Sequence, residues 1–352
     1  MEFGLFFLMQ RDDAWSEQAV YDSGLEQILA AEALGYHSVW LAEHHFNDYG
    51  LCPAPPVLAA FVAARTRTVR LGMGVTLMPL HHPVDVAEQL AVLDVLSGGR
   101  LDVGVGRGGT LQDYRTFGAE RAESRVRVEE GIALMRQCWQ GQPFDFKGRF
   151  HSAERLHVRP RPTQQPHPPL FMATNSEDSV RSAARLCLPT LAAFYVPLDD
   201  LRKRRQIYRE EAAAAGHSGA AIDEAERQSW GMRVVHVARS HEDAMRVTEG
   251  PFMRWQARLS ILRGDGGGLQ DSFDRSLLRL RPFQDYLAEG WALFGTPSEV
   301  RDGLQQFVDA TGHQRLLLVM AVPGLDTALA LRSMRLFTEE VAPALTAVAQ
   351  GA

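Results

Sequence analysis

The chain reads as a single-domain α/β protein built as one closed (β/α)8 barrel, and three observations carry that reading. Short apolar runs alternate with amphipathic helical segments eight times along the 352 residues, which favours a closed barrel over an open doubly wound sheet. The runs are apolar at successive positions, as in parallel strands covered on both faces by helices. The length is also compatible. Division by roughly 150 residues per domain suggests two domains, but single α/β barrels often exceed about 250 residues.

The first strand is Phe3–Leu8. Its apolar run ends at Arg11 and follows no basic leader, so it is too short for a secretion signal or a membrane span. A helix over Ser16–Leu34 places Tyr21, Leu25, Ile28 and Leu29 at helical spacing and stops at Gly35. His37–Leu41 is the second strand, Val57–Ala64 a helix, Val69–Thr76 the third strand and Val84–Leu96 a helix ended by Ser97-Gly98-Gly99. Leu101–Val105 is the fourth strand, Thr110–Gly118 a loop and Glu123–Trp139 a helix. Gly141–Arg149 reads as a hairpin excursion, and the Pro-rich Pro160–Pro169 as a connector in which proline prevents helix. Strands at Leu170–Ala173, Thr190–Phe194 and Met232–Ala238 are followed by helices at Glu177–Leu186, Leu198–Ala215 and His241–Arg258. Leu262–Phe294 fits no repeat and is an insertion after the seventh unit. Thr296-Pro297-Ser298-Glu299 is a capping box with proline at the first helical position, and Arg315–Ala321 is the eighth strand.

Composition narrows the function. Apolar residues make up 45% and charged residues 23%, the balance of an ordinary globular protein. The net charge of −6 argues against nucleic acid, whose phosphates need a basic surface. The three cysteines lie far apart without a CxxC, which argues against a disulfide framework or zinc ribbon. A cytoplasmic location with no membrane segment is expected.

In a barrel the chemistry lies at the C-terminal strand ends. There the chain carries Glu43-His44-His45, then His81-His82, then Gly104-Val105-Gly106-Arg107-Gly108-Gly109, then Thr174-Asn175-Ser176. The glycine segment matches G-x-G-x-x-G but lacks the helix start and the second-strand acid of a dinucleotide site. It is either a tight turn or a bare backbone against a flat ligand, with Arg107 reaching a phosphate. Thr174-Asn175-Ser176 is either a plain N-cap or an anion site at a helix start, and the acids Glu177 and Asp178 would oppose an anion unless turned away. The side-by-side histidines do not suit a barrel metal site, because neighbours on an extended chain point opposite ways. One neutral histidine acting as base or proton relay is the alternative, with His45 and His81 merely packing or capping.

These residues resemble the bacterial luciferase family of flavin-dependent monooxygenases over nearly the whole chain. The likeness is strongest in MEFGLFF, GYHSVWLAEHHF (35–46), His82-Pro83-Val84 with Ala87-Glu88, LDVLSGGR (93–100), Gly104–Gly108, and FGTP (294–297) followed by DATG (309–312). The resemblance implies reduced FMN (FMNH2) as cofactor, supplied by a separate NAD(P)H:flavin reductase. It also implies O2 capture at flavin C4a to give a hydroperoxide that oxygenates a small organic substrate. By the same resemblance, Arg107 and Arg125 hold the FMN phosphate, with Ser176, Ser179 and the Asn175 backbone beside them. Gly74-Val75 matches a cis peptide against the flavin ring. His44 matches the catalytic histidine, and His82 and Asp113 match further active positions. Gly106 stands where luciferase α subunits carry cysteine, which would enlarge the pocket and argues against light emission. The insertion at 262–294 occupies the place of a lid, and Phe273, Phe283, Tyr286, Trp291 and Phe294 would either cover a flat substrate or simply pack. A homodimer and no metal are expected. The alternatives are an F420-dependent oxidoreductase, a metal-dependent barrel hydrolase and a non-catalytic flavin-binding subunit.

Overall fold

The computed structural model describes residues 1–264 and 279–346. Its elements run β1 (Glu2–Phe7), α1 (Glu17–Ala33), β2 (Ser38–Leu41), α2 (Pro55–Ala63), β3 (Arg70–Leu77), α3 (Pro83–Ser97), β4 (Leu101–Gly106), α4 (Leu111–Thr116) and α5 (Ser124–Cys138). There follow β5 (Phe144–Lys147), β6 (Ser152–Leu156), β7 (Leu170–Ala173), α6 (Glu177–Arg185), β8 (Thr190–Ala192), α7 (Leu198–Ala214), α8 (Gly219–Gln228) and β9 (Trp230–Val237). The chain ends with α9 (His241–Gly264), α10 (Phe283–Ala288), β10 (Ala292–Gly295), α11 (Pro297–Thr311), β11 (Arg315–Val319) and α12 (Thr327–Leu336).

The eight expected strands form the barrel. β1, β2, β3, β4, β7, β8, β9 and β11 pair in that order, and β11 closes on β1. Every pairing is parallel, from Gly4 opposite Ser38 to Leu316 opposite Gly231. The hairpin excursion is the antiparallel pair β5–β6. The capping box is present at α11, where Thr296 accepts from the Glu299 amide and Glu299 returns a carboxylate to the Thr296 amide at 2.7 Å.

Three elements depart from the sequence expectation. The 110–118 loop contains α4, whose short run carries too little periodicity to announce a helix. α8 was not expected. Part of the 262–294 insertion belongs to the core: β10 pairs with the distal half of β9 through Ala292 opposite Val234. Phe283, Tyr286, Trp291 and Phe294 are buried there, and all but Trp291 pack directly on Phe252 of α9. Residues 265–278, including Phe273, lie outside the described residues.

Inward positions alternate along each strand, as barrel geometry requires. Trp40 of β2 meets Phe171 of β7 at 5.3 Å and Trp230 of β9 at 6.0 Å between ring centroids. These strands are not neighbours, so the three rings cross the lumen and form a floor. Gly72 on β3 is what admits the indole, since a Cβ there would stand 2.0 Å from Trp40. Below the floor Arg70 and Asp102 form a two-point ion pair, at 2.9 and 2.6 Å.

Above the floor the inward positions of β3 and β4 are glycines 74, 104 and 106. The pairing slips here: Met73 faces Val103 and Thr76 faces Val105, so β3 holds one extra residue. Gly104 accommodates it, because a Cβ at 104 would lie 2.3 Å from the Met73 carbonyl oxygen. Gly104→Ala should therefore destabilise the fold by about 1–3 kcal/mol. Gly219→Ala, where nothing lies within 4 Å of an added Cβ, should leave stability unchanged or slightly higher. Urea midpoints of the two variants check this, and equal midpoints would refute the seam's tightness.

Candidate active site

The bare inner face above the aromatic floor opens into a cleft at the C-terminal strand ends. Its void is about 1390 Å³, counting the solvent at the mouth. That is ample for a three-ring ligand and a second small molecule. Two contrasting regions line it. Arg107, Gly108, Gly109, Thr110, Asn175, Ser176 and Ser179 gather at one end, while Phe6, Leu8, Leu191, Phe194, Met232 and Leu317 form an apolar wall. Between them Gly74 and Val75 form a shelf, joined by a cis peptide.

The polar end is built for an anion. Arg107 directly follows β4, and the Tyr114 hydroxyl of α4 donates to its carbonyl, tying helix to loop. Ser176 caps α6: its Oγ accepts the Ser179 amide at 3.3 Å, and Ser179 Oγ accepts the Ser176 amide at 3.0 Å. The N-terminal end of α6 thus lies at the cleft with its positive dipole end. The acids that would repel an anion are neutralised sideways, Glu177 by Lys203 at 2.5 Å and Asp178 by Arg125 at 2.9 Å. Arg125 acts on Asp178 in this way and does not line the cleft.

The histidines divide in an unexpected way. His44 lines the cleft with its ring edge-on to Tyr49 at 4.9 Å. His82 does not reach the cleft. Pro83 opens α3, which makes residue 82 the N-cap, and His82 accepts from the Val84 amide at 3.3 Å and packs its ring on His151. By strand-like alternation His81 then turns inward to the Glu43 carboxylate at 2.6 Å, where His45 also binds at 3.0 Å. So His45 and His81, expected only to pack or cap, share one buried acid. These three residues offer ligand atoms within 4.8 Å of one another. Each atom is already engaged, because Glu43 Oε1 accepts from both imidazoles and Oε2 accepts from the Leu77 amide at 3.0 Å.

Asp113 of α4 lines the cleft, and its Oδ1 is buried without a hydrogen-bond partner. Burial raises its carboxyl to about 6, against the opposing effects of His45 and Thr110. Asn175 likewise holds a buried, unpartnered Oδ1 in the cleft wall. Two orphaned polar atoms, a bare-backbone shelf and a cationic end are what a flat ligand with a phosphate tail would satisfy. Gly106 does not widen the cleft as expected, for its Cβ position lies 2.6 Å from Val75 Cγ2. The glycine instead admits the Val75 side chain.

Sequence reasoning missed Glu43 as a buried anchor, Tyr49, and the wall residues Phe194 and Tyr195. The last two lie two and three residues after β8, so the strand-end rule covers them. The Glu43 arrangement had little local signal, since only His45 is near in sequence and the other two partners come from 34 and 38 residues away.

The chain belongs to the luciferase-like monooxygenase family, whose model matches residues 1–314. It is 26% identical to the alkanal monooxygenase alpha chain of Photorhabdus luminescens, across 98% of this chain and 97% of that one. The oxygenase component of flavin-dependent trigonelline monooxygenase from Acinetobacter baylyi is 32% identical over 51% of this chain and 50% of its own. Among solved structures, the monooxygenase RslO1 from Streptomyces bottropensis superposes with a TM-score of 0.85 at 30% identity, across 97% of this chain and 99% of that one.

The Asp113 environment generates a stability test. Its folded pKa of about 6 exceeds an unfolded value of about 3.9. The folded state therefore binds the extra proton, and the stability this contributes is lost as pH rises through 6. Asp113→Asn should melt higher than wild type at pH 8, by roughly 1–3 kcal/mol, with the gap narrowing toward pH 5. A gap independent of pH would show that Asp113 is not held neutral by its site.

Proposed function

We propose that this chain is the oxygenase of a two-component monooxygenase. It would take reduced FMN from a separate flavin reductase and use O2 to oxygenate a small organic substrate. The observation that carries the reading is the two-part cleft. A cationic, helix-N-terminal end and an apolar wall meet across the Gly74–Val75 shelf. Family membership and the flavin-dependent relative support it.

Bound reduced FMN would supply the electrons that activate O2. The chain's own residues do the rest. Arg107 and the α6 N-terminus would hold the phosphate, the fixed charge being complementary to a dianion. The shelf would carry the ring, with Gly104 and Gly106 letting β4 lie close behind it. Phe6, Leu8, Leu191, Met232 and Leu317, which line the cleft, would exclude water from the reacting face. The His44 imidazole would hold and pass a proton near neutral pH. Asp113, kept partly protonated by burial, would be a second proton store in the cleft lining. Among the described residues Arg107 is the one cationic residue lining the cleft, so with it engaged by phosphate the substrate would be neutral and largely apolar.

A homodimer is part of this reading. Val57 and Phe61 of α2 and Val92, Val95 and Leu96 of α3 are exposed on the barrel's outside, and a second copy would cover them.

Arg107→Ala should weaken reduced-FMN binding about 10- to 100-fold, the size of a lost charge-assisted bond. His44→Ala should leave that affinity within a few-fold while slowing turnover about 100-fold or more. Anaerobic flavin titration and O2 consumption with a reductase check both. Tight binding of the deazaflavin F420 with none of reduced FMN would overturn the proposal.

A further inference from the structure

Glu43 lies two residues beyond β2 with only 4% of its surface exposed. An ionised carboxylate so deep costs on the order of several kcal/mol unless it is paired and hydrogen-bonded. Three donors from separate segments satisfy it: His45 just beyond β2, the Leu77 amide at the end of β3, and His81 in the turn before α3. Neither Arg nor Lys is among these partners. Its counter-charge must therefore come from an imidazole, and so it depends on pH.

The geometry indicates which imidazole. Both rings present Nε2 to the same oxygen, so both Nε2 atoms carry hydrogen. The His81 bond is the shorter, 2.6 against 3.0 Å. The His81 side chain is 28% exposed and the His45 side chain 6%, so His81 can exchange its second proton with solvent. The charged and titratable groups that bear on the pair are limited. Asp85 of α3 acts on His81, while Asp113 of α4 and the Cys52 thiol interact with the Glu43–His45 side.

We propose that Glu43, His45 and His81 are positioning residues that form a charge-balanced clamp at the side of the cleft beyond the ends of β2 and β3, with His81 as its solvent-facing proton port. This rests on the flavin-oxygenase reading for its consequence but not for its geometry. Through Oε2 the clamp fixes Leu77, two residues after the Gly74–Val75 shelf, and through His45 it borders Asp113. With His81 protonated the buried assembly is neutral. When His81 loses its proton, from Nδ1 to solvent, an unbalanced carboxylate remains near Asp113 and disfavours Asp113 ionisation. The directions agree. Burial pushes the Glu43 carboxyl up, but its two histidine hydrogen bonds, the His81 charge and the Leu77 amide bring it below the usual range. Burial pushes His81 down, and the Glu43 hydrogen bond and charge raise it overall.

The test uses the full chain without cofactor first. Imidazole titration by long-range ¹H–¹⁵N NMR should find His81 titrating above its ordinary value in wild type and returning toward it in Glu43→Gln. With reduced FMN loaded, Glu43→Gln should change the rate of flavin reoxidation by O2 about tenfold or more, and the pH dependence that follows His81 should vanish. The affinity for reduced FMN should stay within about threefold, because the phosphate end is not involved. Should Glu43→Gln fold poorly, His81→Gln keeps a donor to Oε1 without a titrating group and should give a folded protein lacking that limb of the pH profile. The clamp is overturned if His81 titrates identically in wild type and Glu43→Gln, or if His81→Gln retains the limb. A wild type that binds no reduced FMN defeats the oxygenase reading and leaves the NMR result to judge the clamp.

Discussion

The cleft depends on one packing constraint inside the barrel. Eight parallel strands leave a lumen that side chains normally fill in layers. Here Trp40, Phe171 and Trp230 fill the layer below, and above it β3 and β4 meet the cleft through Gly74, Val75, Leu77 and Gly106. Glycine is required at 74, 104 and 106 because the space a Cβ would take is already filled, by Phe6 at 74, the Met73 carbonyl at 104 and Val75 at 106. The same glycines let β4 approach β3 closely enough to absorb the extra residue between Met73 and Thr76. A Cβ at 104 would strike backbone rather than a movable side chain, so this part of the wall has little room to adjust. The shelf is therefore a consequence of strand packing, and the functional residues are arranged around a gap that the fold holds open.

Electrostatics at the cleft follows a second pattern, compensation to the side. The acids in the first turn of α6 stabilise the helix but oppose an anion. Lys203 and Arg125 draw their charge away, leaving the helix N-terminus usable. Glu43 is handled in the same way on the other side, by imidazoles rather than by fixed cations. Asp113 is the exception. It is buried at the cleft with one oxygen unpartnered, and burial raises its carboxyl. An acid left in that condition is the kind of group that marks a functional site.

Arg233 illustrates how the barrel wall supports the cleft from behind. It is almost fully buried, and its guanidinium donates to the carbonyls of Phe194 and Val196 while lying on the Phe307 ring. Burial lowers it to about 9. The loop it holds carries Phe194 and Tyr195 into the cleft lining. Phe194 in turn packs on Trp255, and Tyr195 on Trp291. Among the described aromatic residues of 283–294, Trp291 touches this wall through Tyr195, and none lines the cleft itself.

The sequence by itself determined the eight strands and their order, because alternation of buried runs and amphipathic helices is a local signal repeated in every unit. The strand-end rule pointed to His44, Arg107, Asn175 and Ser176, because side chains that follow a barrel strand lie at its C-terminal face, and the family resemblance added Asp113, Ser179 and the Gly74–Val75 shelf. His44, Arg107, Asp113, Asn175, Ser176, Ser179 and the Gly74–Val75 shelf all meet there. Tertiary structure decided what depends on direction and distance. Whether His81 or His82 faced inward turned on Pro83 making residue 82 a helix cap. Whether Arg125 reached the cleft turned on Asp178 lying across the interhelix gap. Whether Glu43 could remain charged turned on donors 34 and 38 residues further along. A residue's type and spacing state what it can do, but a hydrogen bond forms only with the partner that packing brings within about 3 Å.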